Sequence, residues 1–192
     1  ESEMELGLNI TPEQVAELKA HAEDIDFEKA EKYEREVRHD VMAHVKAYGD
    51  QAPGAAGIIH LGATSCFVNC NSEVIIIDDA LDIILKKLVN VMDKLKRFAL
   101  QYKDLPTLGY THLQPAQLTT VGKRATLWLQ DLEMDYQNLT DLKSHVKLRG
   151  VKGTTGTQAS FLELLGGDGE KVKELERRVV AKMGYDKVYG VT

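Results

Sequence analysis

Cysteine is scarce: Cys66 and Cys70 are the only two among 192 residues. A zinc site built on them would need two further ligands at suitable spacing, and nothing nearby supplies them. They read as reduced thiols near a helix start in a cytosolic protein, so a cytoplasmic location is expected. Positive charge is also in deficit, with 24 Lys and Arg against 30 Asp and Glu and a net charge of −6. Nucleic-acid backbones are held by basic patches, so no nucleic-acid partner is expected. A small anionic ligand stays open, because a few local cations and backbone amides suffice to hold one. No apolar run reaches the length of a membrane span without a charge in it, and no membrane partner is expected.

Several motifs are missing as well. The six histidines include no H-E-x-x-H pair, so metal chemistry is not expected. Val121-Gly122-Lys123-Arg124 is like the end of a phosphate-binding loop, but Gln117 stands where Gly is needed and Arg124 where Ser or Thr is needed. No alternating strand pattern of useful length and no short repeat is present. Glu1 to Gly7 is acidic and unlike a secretory leader. A helical pattern is already under way there without an initiator Met, so the first domain is expected to be incomplete at its start.

What is present is a helical chain with enough apolar residues, 43%, to bury a core. Thr11-Pro12-Glu13-Gln14 has the form of a capping box opening a helix, and Asp26 caps a second. A third short helix follows His39 and ends at Gly49. Residues 51–65 turn to Pro, Gly and Ala, which sets a domain boundary: 1–64 form an N-terminal helical domain and 65–192 the first part of a long-helix domain. Ser72 to Tyr102 carries apolar residues over far more than one stripe. A helix of that length spans about 45 Å at about 1.5 Å per residue and must be surrounded by other helices. Asp104-Leu105-Pro106 stops it. A second long helix is expected over 118–148, a Gly/Thr loop over 150–157, and a last helix over 168–183 with Gly184 as its stop. The expected architecture is all-α: small helices first, then two long antiparallel helices that need partners, so oligomerisation is expected.

Three clusters can carry chemistry: Arg38-His39-Asp40, Gly62-Ala63-Thr64-Ser65 and Thr111-His112-Leu113-Gln114. Each alone also fits a cap, a turn or a loop. Together, between very apolar helices, they suggest proton transfer on a small polyanion. An imidazole passes protons near neutral pH. Hydroxyls and amides at a helix start hold carboxylates, and Arg38 supplies a fixed charge for a second anionic group.

At these same clusters the chain resembles the adenylosuccinate lyase family of the fumarase/aspartase superfamily, in its animal-type form. The resemblance rests on RHDVMAH (38–44), AAGIIHLGATS (55–65), LPTLGYTHLQPAQLTTVGKR (105–124) and RGVKGTTGTQASF (149–161). THLQ is shared across the superfamily; RHDVMAH and PAQLTTVGKR are more selective. The resemblance implies a homotetramer built on a shared helix bundle, with each active site drawn from three subunits. It implies elimination of fumarate from adenylosuccinate, giving AMP, and from the succinylated aminoimidazole carboxamide ribotide, with no cofactor or metal. By position, His112 corresponds to the general acid and His39 to the second active-site histidine. Arg38, His39 and Asp40 correspond to substrate-binding residues, Thr64 and Ser65 to contacts of the succinyl portion, and Thr111 to a residue lining the site.

Two departures follow. The base serine of the family sits on a later Gly-Ser-Ser loop that these 192 residues do not contain, so the chain alone is expected to be inactive. Cys70 stands where the family has an acidic residue. The alternatives are another fumarate-releasing lyase such as argininosuccinate lyase, and a non-catalytic helical assembly fragment.

Overall fold

A computed structural model describes all residues 1–192. The helices are α1 (Ser2–Glu5), α2 (Pro12–Ala20), α3 (Phe27–Val37), α4 (Asp40–Gln51), α5 (Ser65–Gln101), α6 (Val121–Ser144), α7 (Ala159–Leu164) and α8 (Gly169–Lys182), with a 3-10 turn at Ala56–Ile58. The chain divides into two compact units, one of Glu1–Ile75 with Lys147–Thr192 and one of Ile76–Val146. Helix α5 is continuous through the boundary between them.

The first unit is assembled from capped short helices. Thr11 accepts from the Gln14 amide while Gln14 reaches back to the Thr11 amide, which satisfies two orphan donors of α2. Asp26 caps α3 by accepting from the Lys29 amide at 2.9 Å. Helices α3 and α4 pack through small residues, with Ala30, Val41, Ala43 and Ala47 buried. A second core gathers Val151, Phe161, Leu165, Val172 and Leu175, with Leu6, Ala63, Phe67 and Val179 packed against it. Asp168 caps α8, and Gly184, at φ +85°, follows the C-cap Met183 as the left-handed stop. The short helix α7 was not expected from the sequence. Its six residues are too few for helical periodicity to stand out.

In the second unit α5 and α6 run antiparallel. Gly122 at the start of α6 lies against Ala99 near the end of α5, where an added Cβ would come within 2.3 Å of the Ala99 carbonyl oxygen. At the other end of α6, Lys143 donates to the Asp78 carboxylate at 2.7 Å and pairs with Asp82 at 3.2 Å. The inward stripe of α5 includes Leu81 and Ala99, both buried. The remaining faces stay open: Ile76, Ile77, Ile83, Ile84, Leu127 and Trp128 are each between 48% and 64% exposed. Two helices cannot cover apolar surface on all their sides.

The architecture is the all-α one expected, with one correction. Residues 106–120 form an antiparallel hairpin, β1 (Pro106–Thr111) and β2 (Gln114–Thr120), so α6 starts at Val121 rather than near 118. Pro106, Gly109 and Pro115 erase the alternation that marks a strand, and a register shift between Leu108 and Tyr110 breaks its period. The turn also lacks the usual Asn-Gly signal.

Candidate active site

Arg38 and His39 occupy the junction of α3 and α4. Arg38 caps α3 in the left-handed region at φ +53°, and His39 is extended and caps α4. The Met42 amide lies 3.3 Å from the His39 Nδ1, capping the first turn of α4. Asp40 Oδ1 lies 3.3 Å from the same nitrogen. The Val41 backbone N–H, then the Asn69 side chain and nearby His39, hold the Asp40 carboxyl below its usual range. Burial, and then the proximity of His39, push the His60 imidazole below its ordinary value. A cavity of about 590 Å³ opens beside this junction, lined among others by His21, Asp40, His44, Tyr48, His60 and Asn69.

Asn69 connects this junction to the next cluster. Its amide donates to Asp40 Oδ2 at 3.3 Å, and it stands on the second turn of α5, the helix that Ser65 opens. Thr64 precedes that helix start, and its carbonyl accepts from the Phe67 amide at 2.9 Å. Gly62 turns the chain into position at φ +65°. There a Cβ would meet Leu164 at 2.5 Å and Phe161 at 3.1 Å, so both the backbone and the space call for glycine. The Thr64 hydroxyl lies 2.6 Å from the Thr154 hydroxyl, and Ser160 donates to the Gly62 carbonyl at 2.7 Å. Within the first unit one asparagine bond thus ties Asp40 to the second turn of the helix that Ser65 opens.

Thr111 and His112 belong to the second unit. His112 and Leu113 are the two turn residues of the hairpin, since Thr111 pairs with Gln114. Both have positive φ, +51° and +62°, as a two-residue turn matching the strand twist demands. Non-glycine residues there are strained by about 1–3 kcal/mol each, and such strain clusters at functional positions. His112 is exposed, and Leu113 is 99% exposed.

Sequence reading missed Asn69, Asn71 and Thr154. Asn71 is 2% exposed, donates to the carbonyls of Phe67 and Gly150, and accepts from the Gly150 amide. It ties the first turns of α5 to the 149–158 loop. No local signal marks an asparagine whose partner is far along the chain; Thr154 could have been suspected from the density of Gly and Thr in its loop. Cys66 and Cys70 are free and half-buried, one turn apart on α5. No group of three or more His, Cys, Asp or Glu is gathered as metal ligands.

The first two clusters stand in the first unit and the third on the hairpin of the second, on a mostly helical frame. The family described as Lyase matches residues 11–163, and the chain belongs to that family. Over its full length the chain is 57% identical to adenylosuccinate lyase of Saccharomyces cerevisiae and 55% identical to that of Schizosaccharomyces pombe. It spans about 40% of the length of each. A crystal structure of a fumarate lyase from Mesorhizobium sp. BNC1 superposes on all of the chain and 44% of its own, with a TM-score of 0.86 at 25% identity.

Proposed function

We propose that the protein to which this chain belongs eliminates fumarate from adenylosuccinate, giving AMP, and from the succinylated aminoimidazole carboxamide ribotide in purine nucleotide biosynthesis. The observation that carries this reading is the similarity of the whole chain to relatives named adenylosuccinate lyase. In the reaction a base takes the proton beside a substrate carboxylate, charge builds on that carboxylate, and the C–N bond breaks. His112 gives its proton to the leaving nitrogen. Thr64 and Ser65 donate to the succinyl carboxylates, where one lost donor costs about 3 kcal/mol at the transition state. Arg38, His39, Asp40 and Thr111 bind and orient the substrate. No cofactor or metal takes part.

The same proposal includes a cytoplasmic homotetramer with sites shared between subunits. The open apolar faces of α5 and α6 support association, because each large side chain buried contributes about 1.5–3 kcal/mol. It also includes the division into a helical domain over 1–64 and the start of a bundle domain over 65–192. The test is fumarate release after refolding this chain together with a full-length lyase whose own catalytic acid has been replaced. Recovered activity means that the chain supplies a working His112 to a composite site. Mixed oligomers without activity would refute that role.

A further inference from the structure

We propose that Thr154 is a positioning residue for Thr64: it donates its hydroxyl proton to Thr64 Oγ1, leaving the Thr64 O–H to donate to a substrate carboxylate. This rests on the function proposed above. The two hydroxyl oxygens are 2.6 Å apart, a normal O–H···O separation, and either can be the donor in the free chain. A hydroxyl has one proton to give and two lone pairs to accept with, whereas a carboxylate only accepts. Once a carboxylate faces Thr64, the Thr64 proton is committed to it. The bond to Thr154 then survives only if Thr154 is the donor. The resulting chain runs from Thr154 to Thr64 to carboxylate, and each bond polarises the next.

The frame behind Thr154 is built to hold one hydroxyl in place. Arg149 donates to the carbonyls of Lys152 and Gly153 at 2.6 and 2.5 Å, closing the loop across its base. The Gly153 amide donates to the Thr157 carbonyl at 2.6 Å, and Gln158 to the Val151 carbonyl at 2.9 Å. Below, Lys152 is 5% exposed and pairs with Glu176 at 2.6 Å, while Asn71 grips Gly150 through both of its polar atoms. The first four of these bonds close the loop on itself, and the contacts of Lys152 and Asn71 tie it to α8 and α5. The Thr154 side chain itself is exposed, and its hydroxyl is spent on Thr64. Ser160 holds the other side of the same turn through the Gly62 carbonyl.

The test is made in the full-length lyase carrying this segment, with Thr154→Val and Thr154→Ser. Thr154→Val keeps the shape and removes the hydroxyl. It is expected to weaken product inhibition by fumarate and raise KM for the succinylated substrate, each about fivefold, the worth of the one neutral hydrogen bond that Thr154 makes to Thr64. Inhibition by AMP, which has no succinyl carboxylates, is expected to stay unchanged, and Thr154→Ser is expected to restore fumarate inhibition. Unchanged fumarate inhibition in Thr154→Val, or equal weakening of fumarate and AMP, would overturn the inference while leaving the lyase function standing. An unaltered protein that neither releases nor is inhibited by fumarate would overturn the function, and this inference with it.

Discussion

Replacing Asn71 by Ala should loosen the turn–loop assembly, because it strips partners from a buried stretch of backbone. Asn71 is 2% exposed and makes three hydrogen bonds: to the Phe67 carbonyl at 2.8 Å, to the Gly150 carbonyl at 3.1 Å, and from the Gly150 amide at 3.0 Å. The Phe67 carbonyl keeps its partner within the helix, so its share is small. The Gly150 amide and carbonyl, both in a buried residue, lose theirs. Each buried group left unsatisfied costs about 1–3 kcal/mol, and water entering the vacated space recovers part of that. The expected loss is about 3 kcal/mol. Hydrogen exchange at the Gly150 amide reads it locally, as a rise in exchange rate of about two orders of magnitude; urea unfolding followed by circular dichroism reads it as a lowered midpoint. Asn69→Ala is the control, since its single 3.3 Å bond to Asp40 is partly exposed and worth less than about 1 kcal/mol. Unchanged protection of Gly150 in Asn71→Ala, or equal effects of the two variants, would refute the reasoning.

His112→Ala in the full-length lyase should lower kcat by about two to four orders of magnitude with KM little changed, as loss of a general acid does; near-normal turnover in steady-state assays would remove His112 from that role. The isolated chain should self-associate through α5 and α6, and Trp128→Glu, at a 55% exposed position, should weaken that association. Sedimentation showing a well-folded monomer at high concentration would contradict it. Glu174 is held at about 2, against an ordinary 4.5, first by the two hydrogen bonds from Arg177 and then by the one from Arg178. A depressed carboxylate adds stability above its unfolded value and loses it as pH falls through the folded one, so α8 should soften between about pH 4.5 and about pH 2. Glu174→Gln should remove that part of the acid transition in a pH titration of helicity; an identical titration curve would rule it out.

The helices were legible where local chemistry decides them. The Thr11–Gln14 capping box, the Asp26 cap, the last helix near 168–183 and the Gly184 stop all stand where the sequence puts them. The long segment before Asp104 is one helix, although it starts at Ser65 instead of Ser72, because Thr64 and Ser65 begin a helix rather than end a loop. The hairpin was not legible: its pairing joins residues across a turn whose two members, His112 and Leu113, carry no turn signal in their side chains. Of the candidate site, the three clusters could be named from residue types, but the Asn69–Asp40 and Thr64–Thr154 contacts could not.

Sequence alone therefore determined the helical class, the caps and stops, the excess apolar surface of α5 and α6, and the family. All of these depend on residues within a few positions of one another or on motifs read as strings. Tertiary structure decided that Asn69 joins Asp40 to the start of α5, that Asn71 grips Gly150, and that Thr64 meets Thr154. The last two contacts bring together residues 79 and 90 positions apart. Side chains that distant meet only after the helices between them have packed, and packing is set by the whole apolar surface rather than by any local pattern.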